Sequence, residues 1–240
     1  MKLEQPTLSL VNVSKAYGSH KAIRDINLHV NPGEFVVLLG LSGAGKSTIF
    51  KCISQLVRPD SGEVWLDRQQ INHLRGNALR LQRRRIGLIF QQFNLLPFAS
   101  VQDNILLPLR FAPERHNRLN DPKQEATRLC HDLGLPDGVM SSKAGNLSVG
   151  QQQRVAAARA LIGMPPLIIA DEPTTALDKA VEGKILALLN KLVQESGAAL
   201  WLISHDLEVV AEVADEVVVL FRGETVEAGP AEKVFKSPQH

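Results

Sequence analysis

Gly40-Leu41-Ser42-Gly43-Ala44-Gly45-Lys46-Ser47 is the stretch of this sequence that decides the fold. It follows the apolar run Phe35–Leu39, which is typical of a strand buried on both faces. It opens Ser47–Leu56, in which apolar residues recur at helical spacing. A glycine-rich loop that joins a strand to a helix and ends in Lys-Ser predicts a phosphate-binding loop rather than an ordinary turn, because the glycines let backbone N–H groups turn inward around a phosphate.

The chemistry of this loop indicates that the cofactors are ATP and Mg²⁺. The N-terminus of the following helix adds positive potential toward a phosphate. Lys46 is expected to reach the β- and γ-phosphates, and the Ser47 hydroxyl is expected to ligate Mg²⁺. The residues predicted to surround the nucleotide phosphates are Gly40, Leu41, Ser42, Gly43, Ala44, Gly45, Lys46, Ser47 and Thr48.

Two adjacent carboxylates, Asp171 and Glu172, follow the apolar run Leu167–Ala170. A buried strand would deliver both of them to its carboxyl end, which is where open α/β sheets bind ligands. We expect Asp171 to hold Mg²⁺ through water, and Glu172 to polarise the attacking water as a general base. The alternative is an acidic pair that caps a helix before Pro173; the phosphate loop in the same chain favours the catalytic interpretation.

A second helix N-terminus suited to an anion is predicted at Leu147-Ser148-Val149-Gly150-Gln151. Ser148 fits the N-cap position, and a serine hydroxyl and a glycine N–H at a helix start can both bind an anion. Alone this is only a capping signal. Because the phosphate loop already holds one nucleotide, the economical explanation is that Ser148, Gly150 and Gln151 contact the γ-phosphate of ATP on a second copy of the chain.

Composition excludes several other classes of protein. The formal net charge is only +2, which gives no general attraction to nucleic acid. Cys52 and Cys130 lie far apart, which argues against a disulfide scaffold or a zinc site and fits a reducing compartment. The N-terminus does not read as a signal peptide, and no apolar run approaches the roughly 20 residues of a membrane span. Any membrane role is therefore expected to come through a partner.

The order of the segments predicts a single α/β domain over residues 1–240. Short strands and turns before the phosphate loop predict a small antiparallel β region, and the strand–helix alternation after Leu167 predicts a mainly parallel sheet. From Asn94 to about Gly145, prolines and short helical stretches replace the strand signals. We therefore expect a P-loop NTPase (RecA-like) core over 1–91 and 158–240, with a helical subdomain inserted over 92–157.

With these motifs in this order, the chain resembles an ATP-binding-cassette (ABC) transporter ATPase subunit over nearly its whole length. The matching motifs are the Walker A loop Gly40–Ser47, the signature Leu147–Gln151 and the Walker B end Asp171-Glu172. Of these motifs, the signature is the one most specific to the ABC family, because many other NTPases share the phosphate loop.

The resemblance adds four residues to the expected site. It implies that Gln91 touches Mg²⁺ and the attacking water, that His205 contacts the γ-phosphate, and that Tyr17 stacks on adenine. It also implies that Asp178 lies in a loop that crosses the dimer interface. The chain departs from the family at Val149, where glycine is usual; a left-handed backbone there would strain valine. Thr175 replaces the more common serine, which is a milder change.

The transporter subtype and the partners also follow from resemblance. Ile89–Pro97 and Asn104–Leu109 resemble the lipoprotein-release and macrolide-export group, which we favour. The phosphonate-importer ATPases are resembled by Gly40–Thr48 with Lys51–Ile53 and by Leu74–Arg85, and the tail Ala228–Phe235 also resembles importers. A regulatory ATPase coupled to a cell-division permease is a third interpretation. Soluble ABC ATPases usually carry two cassettes or a long coiled-coil insertion, and this sequence has neither.

The expected partners are a second copy in a head-to-tail homodimer, or a related ATPase, together with an integral membrane permease. No nucleic-acid partner is expected. The resemblance places the protein at the cytoplasmic face of the inner membrane, peripherally, through the permease.

Overall fold

The computed structural model describes residues 5–173, 179–204, 210–211 and 213–238. The strands are β1 (Leu8–Tyr17), β2 (His20–Val30), β3 (Phe35–Leu39), β4 (Ser61–Leu66), β5 (Gln69–Gln70), β6 (Ile86–Ile89), β7 (Leu167–Asp171), β8 (Ala199–Ser204), β9 (Glu216–Phe221) and β10 (Glu224–Pro230). The helices are α1 (Lys46–Ile53), α2 (Gly76–Arg83), α3 (Val101–Leu106), α4 (Pro113–His116), α5 (Pro122–Asp132), α6 (Val149–Leu161), α7 (Lys179–Ser196) and α8 (Ala231–Lys236). Short 3-10 turns lie at Leu107–Arg110, Val139–Ser141 and Ala144–Asn146.

The strands form two sheets. The first is antiparallel and has the order β2-β1-β4-β5. The second has the order β10-β9-β3-β8-β7-β6, in which β9, β3, β8, β7 and β6 are parallel and β10 is antiparallel to β9. The predicted fold class, a P-loop core with a mainly parallel sheet and an antiparallel N-terminal region, is confirmed.

Strand β3 shows why its sequence is continuously apolar. Phe35, Val37 and Leu39 pack into the core on the helical side of the larger sheet. Val36 and Leu38 pack on the opposite side, together with the antiparallel sheet and α1. Since both faces of the strand are covered, no position along it can be polar at low cost.

The helices of the middle of the chain pack on the parallel sheet through α6. Helix α6 contacts α3, α5 and strand β6, and Val155, Ala158 and Leu161 are buried in the shared core. The boundary drawn between residues 157 and 158 falls inside this continuous helix. Helix α6 therefore belongs physically to both parts.

The last strand and the last helix are among the parts of the fold that were not expected from the sequence. Strand β10 and helix α8 close the edge of the large sheet, where Ala231 N donates to Asp215 O at 2.9 Å. Within the residues described here, no helix is both long and apolar enough to cross a bilayer.

Candidate functional site

Four functional segments meet at one edge of the parallel sheet. The phosphate loop begins at Gly40 after β3, Gln91 follows β6, Asp171 ends β7 and Ser204 ends β8. Because β3, β8, β7 and β6 are parallel neighbours, their carboxyl ends lie side by side. The fold therefore brings together segments that are far apart in sequence, at the position where α/β sheets bind ligands.

The phosphate loop presents an uncapped helix N-terminus. Gly45 is the N-cap of α1, with φ 110°, and no side chain accepts a hydrogen bond there. Gly43 is also left-handed, with φ 79°. The first N–H groups of a helix have no partner within it, and the first turn of α1 contains no acidic residue. An anion such as a phosphate would satisfy these N–H groups and would be favoured by the helix dipole.

Close packing fixes the shape of this loop from behind. A Cβ on Gly45 would lie 2.6 Å from the Ala22 carbonyl oxygen and 2.8 Å from Cγ2 of Ile23, both on β2. The backbone N–H of Gly223 donates to the Ala44 carbonyl oxygen at 2.9 Å. Strand β2 and the β9–β10 turn therefore hold the loop in position.

Lys46 folds back over the loop. Its Nζ donates to the Gly40 carbonyl oxygen at 2.5 Å and to the Leu41 carbonyl oxygen at 3.1 Å, and the residue is only 7% exposed. An ammonium held by neutral carbonyl groups can exchange them for phosphate oxygens, which are charged and stronger partners. This position fits the expected role of Lys46 toward the nucleotide.

The carboxylates Asp171 and Glu172 lie beside this lysine, and opposing electrostatic effects act on Asp171. Burial raises the pKa of Asp171, the neighbouring Glu172 raises it further, and Lys46 and Lys51 lower it. The Gln91 side-chain amide donates to Glu172 Oε2 at 3.4 Å, across two segments that are distant in sequence. The structure thus brings Gln91, Asp171, Glu172 and Lys46 to one place.

Glu172 also has an unusual backbone. Its φ is 45°, which is uncommon for a residue with a side chain, and its N–H donates to the Ile203 carbonyl oxygen at 3.0 Å. This bond continues the β7–β8 ladder by one step and turns the chain sharply after Asp171. Left-handed non-glycine residues of this kind cluster at functional sites, where the surrounding structure holds them in place.

The residues present fit a hard divalent cation. Asp171 and Glu172 are adjacent and partly buried, and burial raises the pKa of Asp171, so a cation there would compensate their negative charge; oxygen is the ligand that Mg²⁺ prefers. The exposed Ser47 hydroxyl at the start of α1 is a further oxygen donor. Among the residues that the structure describes, no group of three or more His, Cys, Asp or Glu is placed to hold a metal ion.

The signature segment forms an intact capping box. Ser148 Oγ accepts from the Gln151 N–H at 3.3 Å, and Gln151 Oε1 accepts from the Ser148 N–H at 3.0 Å. Val149 is the first residue of α6, does not have a positive φ, and is 50% exposed. The strain that a left-handed backbone would impose on valine therefore does not arise. Ser148 is exposed too, so this end of α6 can be reached by another molecule.

Tyr17 lies at the tip of the β1–β2 hairpin, paired with His20. Its side chain is 46% exposed, and Lys15 Nζ lies 5.7 Å from the ring centroid. Lys15 is itself fixed by Asp60 at 2.5 Å. An exposed ring on the hairpin whose β2 strand touches the phosphate loop suits stacking on a nucleotide base.

Two predicted site residues, Asp178 and His205, lie outside the described residues, as does Thr175. Sequence reasoning missed Arg159 of α6, which donates to the main chain beside Gln91. The available signal was an arginine within an otherwise small and apolar helical stretch, Val155–Leu161.

Comparisons with known proteins agree with this geometry. A model of the ABC transporter family matches residues 23–175. The methionine import ATP-binding protein MetN of Mesorhizobium japonicum is 42% identical over 240 residues, which cover 98% of this chain and 63% of that protein. The protein of the same name from Bordetella pertussis is 40% identical over 237 residues, covering 97% of this chain and 64% of that protein. The chain thus spans less than two thirds of these relatives.

Solved structures show the same fold. The ATP-binding cassette MJ0796, in a dimeric post-hydrolysis state bound to ADP and Pi, superposes with a TM-score of 0.83 at 36% identity, covering 93% of this chain and 98% of that one. The cbiO1 protein of Clostridium perfringens, part of the ABC transporter complex cbiONQ, superposes with a TM-score of 0.85 at 27% identity, covering 98% and 92%. The expected likeness to the lipoprotein-release and macrolide-export group is not what the curated relatives' names indicate, since those names are of importers.

Proposed function

The chain belongs to the ABC transporter family, and on this basis we propose that it binds ATP with Mg²⁺, hydrolyses it and drives solute import through a membrane permease. The observation that carries the proposal is the meeting of the phosphate loop, Gln91 and the Asp171-Glu172 pair at one sheet edge. A buried lysine over an uncapped helix N-terminus binds phosphates, and an adjacent carboxylate pair serves a cation and a water.

Each residue then has a distinct task in hydrolysis. The N–H groups of the phosphate loop and Lys46 hold the β- and γ-phosphates. Ser47 and Asp171 would hold the Mg²⁺, which when bound neutralises charge on the phosphates. Glu172 orients the attacking water and accepts its proton, and Gln91 positions the Glu172 carboxylate through their hydrogen bond.

We also propose that the active unit is a head-to-tail dimer. The exposed capping box at Ser148 supports this, since it offers an anion-binding helix end that this chain's own phosphate loop does not require. The MJ0796 cassette, described as dimeric, provides a precedent in the same fold. In this arrangement Ser148, Gly150 and Gln151 contact the γ-phosphate held by the partner copy. Asp178 lies at the same interface, and His205 contacts the γ-phosphate. A related ATPase in place of the second copy is the alternative.

The direction of transport rests on the relatives. Both methionine import proteins share 40–42% of their aligned residues with this chain. We therefore propose an importer, with methionine or a similar small amino acid as the first solute to test. Its partner would be a membrane permease, with the cassette bound peripherally at the cytoplasmic face.

Hydrolysis is tested with purified protein and three variants. Glu172→Gln should lower the ATPase rate by about 10²–10⁴ while ATP binding is retained, because the general base is lost and the phosphate loop is intact. Lys46→Ala should lose ATP binding itself. Glu232→Gln, an exposed carboxylate on α8 paired with Lys236, is the matched control and should hydrolyse at the wild-type rate. Equal rates for Glu172→Gln and the wild type would exclude Glu172 as the base.

The import proposal is tested by what the trapped protein binds. Tagged Glu172→Gln is solubilised from its native membranes with ATP and Mg²⁺, and the co-purifying proteins are identified. For an importer, we expect to recover a permease with many membrane spans. Its gene should lie beside a gene for a soluble solute-binding protein. A four-span permease with a large extracytoplasmic domain would instead restore the lipoprotein-release interpretation.

A further inference from the structure

Arg159 connects the signature helix to the segment that carries Gln91. It lies in the last turn of α6, is 9% exposed, and donates from Nη1 to the Asn94 carbonyl oxygen at 2.7 Å. Its Nη2 donates to the Phe93 carbonyl oxygen at 2.6 Å. Burial lowers the pKa of Arg159, yet a guanidinium stays charged at neutral pH, so both bonds are charge-assisted.

Two cavities border the anchored segment. A cleft of about 480 Å³ is lined by Gln91, Phe93, Asn94 and Val149 among others. A groove of about 370 Å³ is lined by Asn94, Arg159 and the 62%-exposed Phe111 among others. Asn94 lines both and has a left-handed φ of 50°. Leu95 packs against the core and Asn104 bonds the main chain of Leu96, so other contacts hold the far end of the segment. At Phe93 and Asn94 the main chain is held by the two bonds from Arg159.

A second buried arginine provides the contrast. Arg115 of α4 donates from Nε to the Ile162 carbonyl oxygen at 3.0 Å, and from Nη2 to the Ala160 carbonyl oxygen at 3.0 Å. Burial lowers its pKa to about 10, so it too is a desolvated cation bonded to main-chain carbonyl groups. Arg115 secures the C-terminal end of α6, whereas Arg159 secures the Gln91 segment.

We propose that Arg159 is a positioning residue for hydrolysis, which fixes the Gln91 segment to α6 so that Gln91 and the Ser148 end of the helix move as one unit. This rests on the proposed function. Arg159 does not touch the phosphate loop; through Phe93 and Asn94 it sets where the Gln91 amide meets Glu172.

The test separates positioning from folding. Arg159→Met and Arg159→Lys are compared with Arg115→Met, the matched buried arginine, and rates are expressed per folded molecule. Arg159→Met should lower kcat by about ten- to a hundredfold, the scale of a misplaced catalytic group, with ATP affinity within about twofold of wild type. Arg159→Lys should recover part of kcat, since an ammonium keeps the charge but lacks the planar fork whose two nitrogens meet the Phe93 and Asn94 carbonyl oxygens separately. Arg115→Met should lose stability and keep kcat.

Hydrogen exchange gives a readout that does not depend on activity. Amides over residues 91–96 should exchange faster in both Arg159 variants, and at the wild-type rate in Arg115→Met. The β1–β2 hairpin serves as an internal reference in all proteins. Unchanged exchange over 91–96, or an equal loss of kcat in Arg115→Met, overturns the proposal. Absence of ATPase activity in the wild type would instead overturn the proposed function, with the exchange experiment still reporting on the anchor. If Arg159→Met does not fold, the lysine variant carries the same comparison.

Discussion

The substitution Gly45→Ala tests whether the packing behind the phosphate loop sets its shape. Gly45 has φ 110°, and the added Cβ would lie 2.6 Å from the Ala22 carbonyl oxygen and 2.8 Å from Ile23 Cγ2. Contacts below 3.0 Å require something to shift, and here one of the two atoms is backbone in β2. Gly33 is the matched control, since it has φ 72° with nothing within 4 Å of an added Cβ.

The expected magnitudes follow from these two environments. Both substitutions place an alanine in a left-handed conformation, which costs about 1–2 kcal/mol. Only Gly45→Ala adds overpacking against β2, which costs about 1–3 kcal/mol more. With a urea m-value of about 2 kcal/mol per molar, the unfolding midpoint of Gly45→Ala should lie about 1 M below that of Gly33→Ala.

Two assays complete the comparison. Urea unfolding measures the stability difference, and the shift of the midpoint on adding ATP with Mg²⁺ measures binding to the loop. Gly33→Ala should keep the shift, and Gly45→Ala should lose most of it because the loop has moved. Free energies of unfolding for the two variants that agree within about 0.5 kcal/mol would refute the packing argument.

Three further predictions concern other groups. Burial raises the pKa of Cys52 and of Cys130 to about 11, so neither thiol should react with iodoacetamide at pH 8 in the native protein, and both should react in denaturant; rapid native labelling would contradict this. Asp171→Asn should stabilise the nucleotide-free protein by about 1 kcal/mol at pH 7.5 and abolish Mg²⁺-dependent hydrolysis. Because the folded protein raises the pKa of Asp171, its ionised carboxylate destabilises the wild type at pH values above that raised pKa. Below pH 3.8, the ordinary pKa, the carboxyl is protonated in both the folded and the unfolded protein, so the stability gain of Asp171→Asn should vanish there. Urea unfolding at a series of pH values measures this. Ser148→Ala should cost about 1 kcal/mol by removing the cap, whereas Val149→Gly should relieve nothing, since Val149 already has a helical backbone; a stability gain for Val149→Gly would contradict that.

Sequence patterns located the elements whose boundaries depend on local chemistry. Strand β3 has the predicted ends Phe35 and Leu39, because a turn precedes this apolar run and the glycine loop follows it. Strand β1 continues past Val13 to Tyr17, because bulges between Val13 and Ala16 let polar residues continue the pairing. An alternation rule cannot anticipate such bulges.

Two elements escaped prediction because burial does not mark them. Strand β10 is an edge strand, and from Glu224 to Pro230 no residue of it is fully buried. Helix α2 buries only Gln82, so its sequence carries no apolar stripe. Both are held by neighbours elsewhere in the chain, and neither has a pattern that could have revealed it.

In the candidate site, too, some residues could be predicted from the sequence and others could not. The phosphate loop and the carboxylate pair were predictable, since each needs a specific residue order on a strand end. The main-chain hydrogen bonds of Arg159 and Arg115 were not, because their partners are carbonyl groups, which every residue has. A guanidinium that bonds the main chain leaves no complementary residue type in the sequence to find.

The charges of the site lead to a last prediction, on dimer formation. Two lysines, Lys46 and Lys51, act on the two carboxylates Asp171 and Glu172, so bound ATP adds negative charge beyond what these lysines offset. Mg²⁺ and the helix N-terminus at Ser148 of a second copy would supply the balance. Glu172→Gln should therefore be monomeric alone and dimeric with ATP and Mg²⁺ in light scattering after gel filtration. Adding Ser148→Arg, which places a bulky side chain at the exposed cap, should prevent that dimer without weakening ATP binding to the monomer. A nucleotide-free wild-type dimer that survives high salt would contradict the mechanism, since closure would then owe nothing to the phosphates.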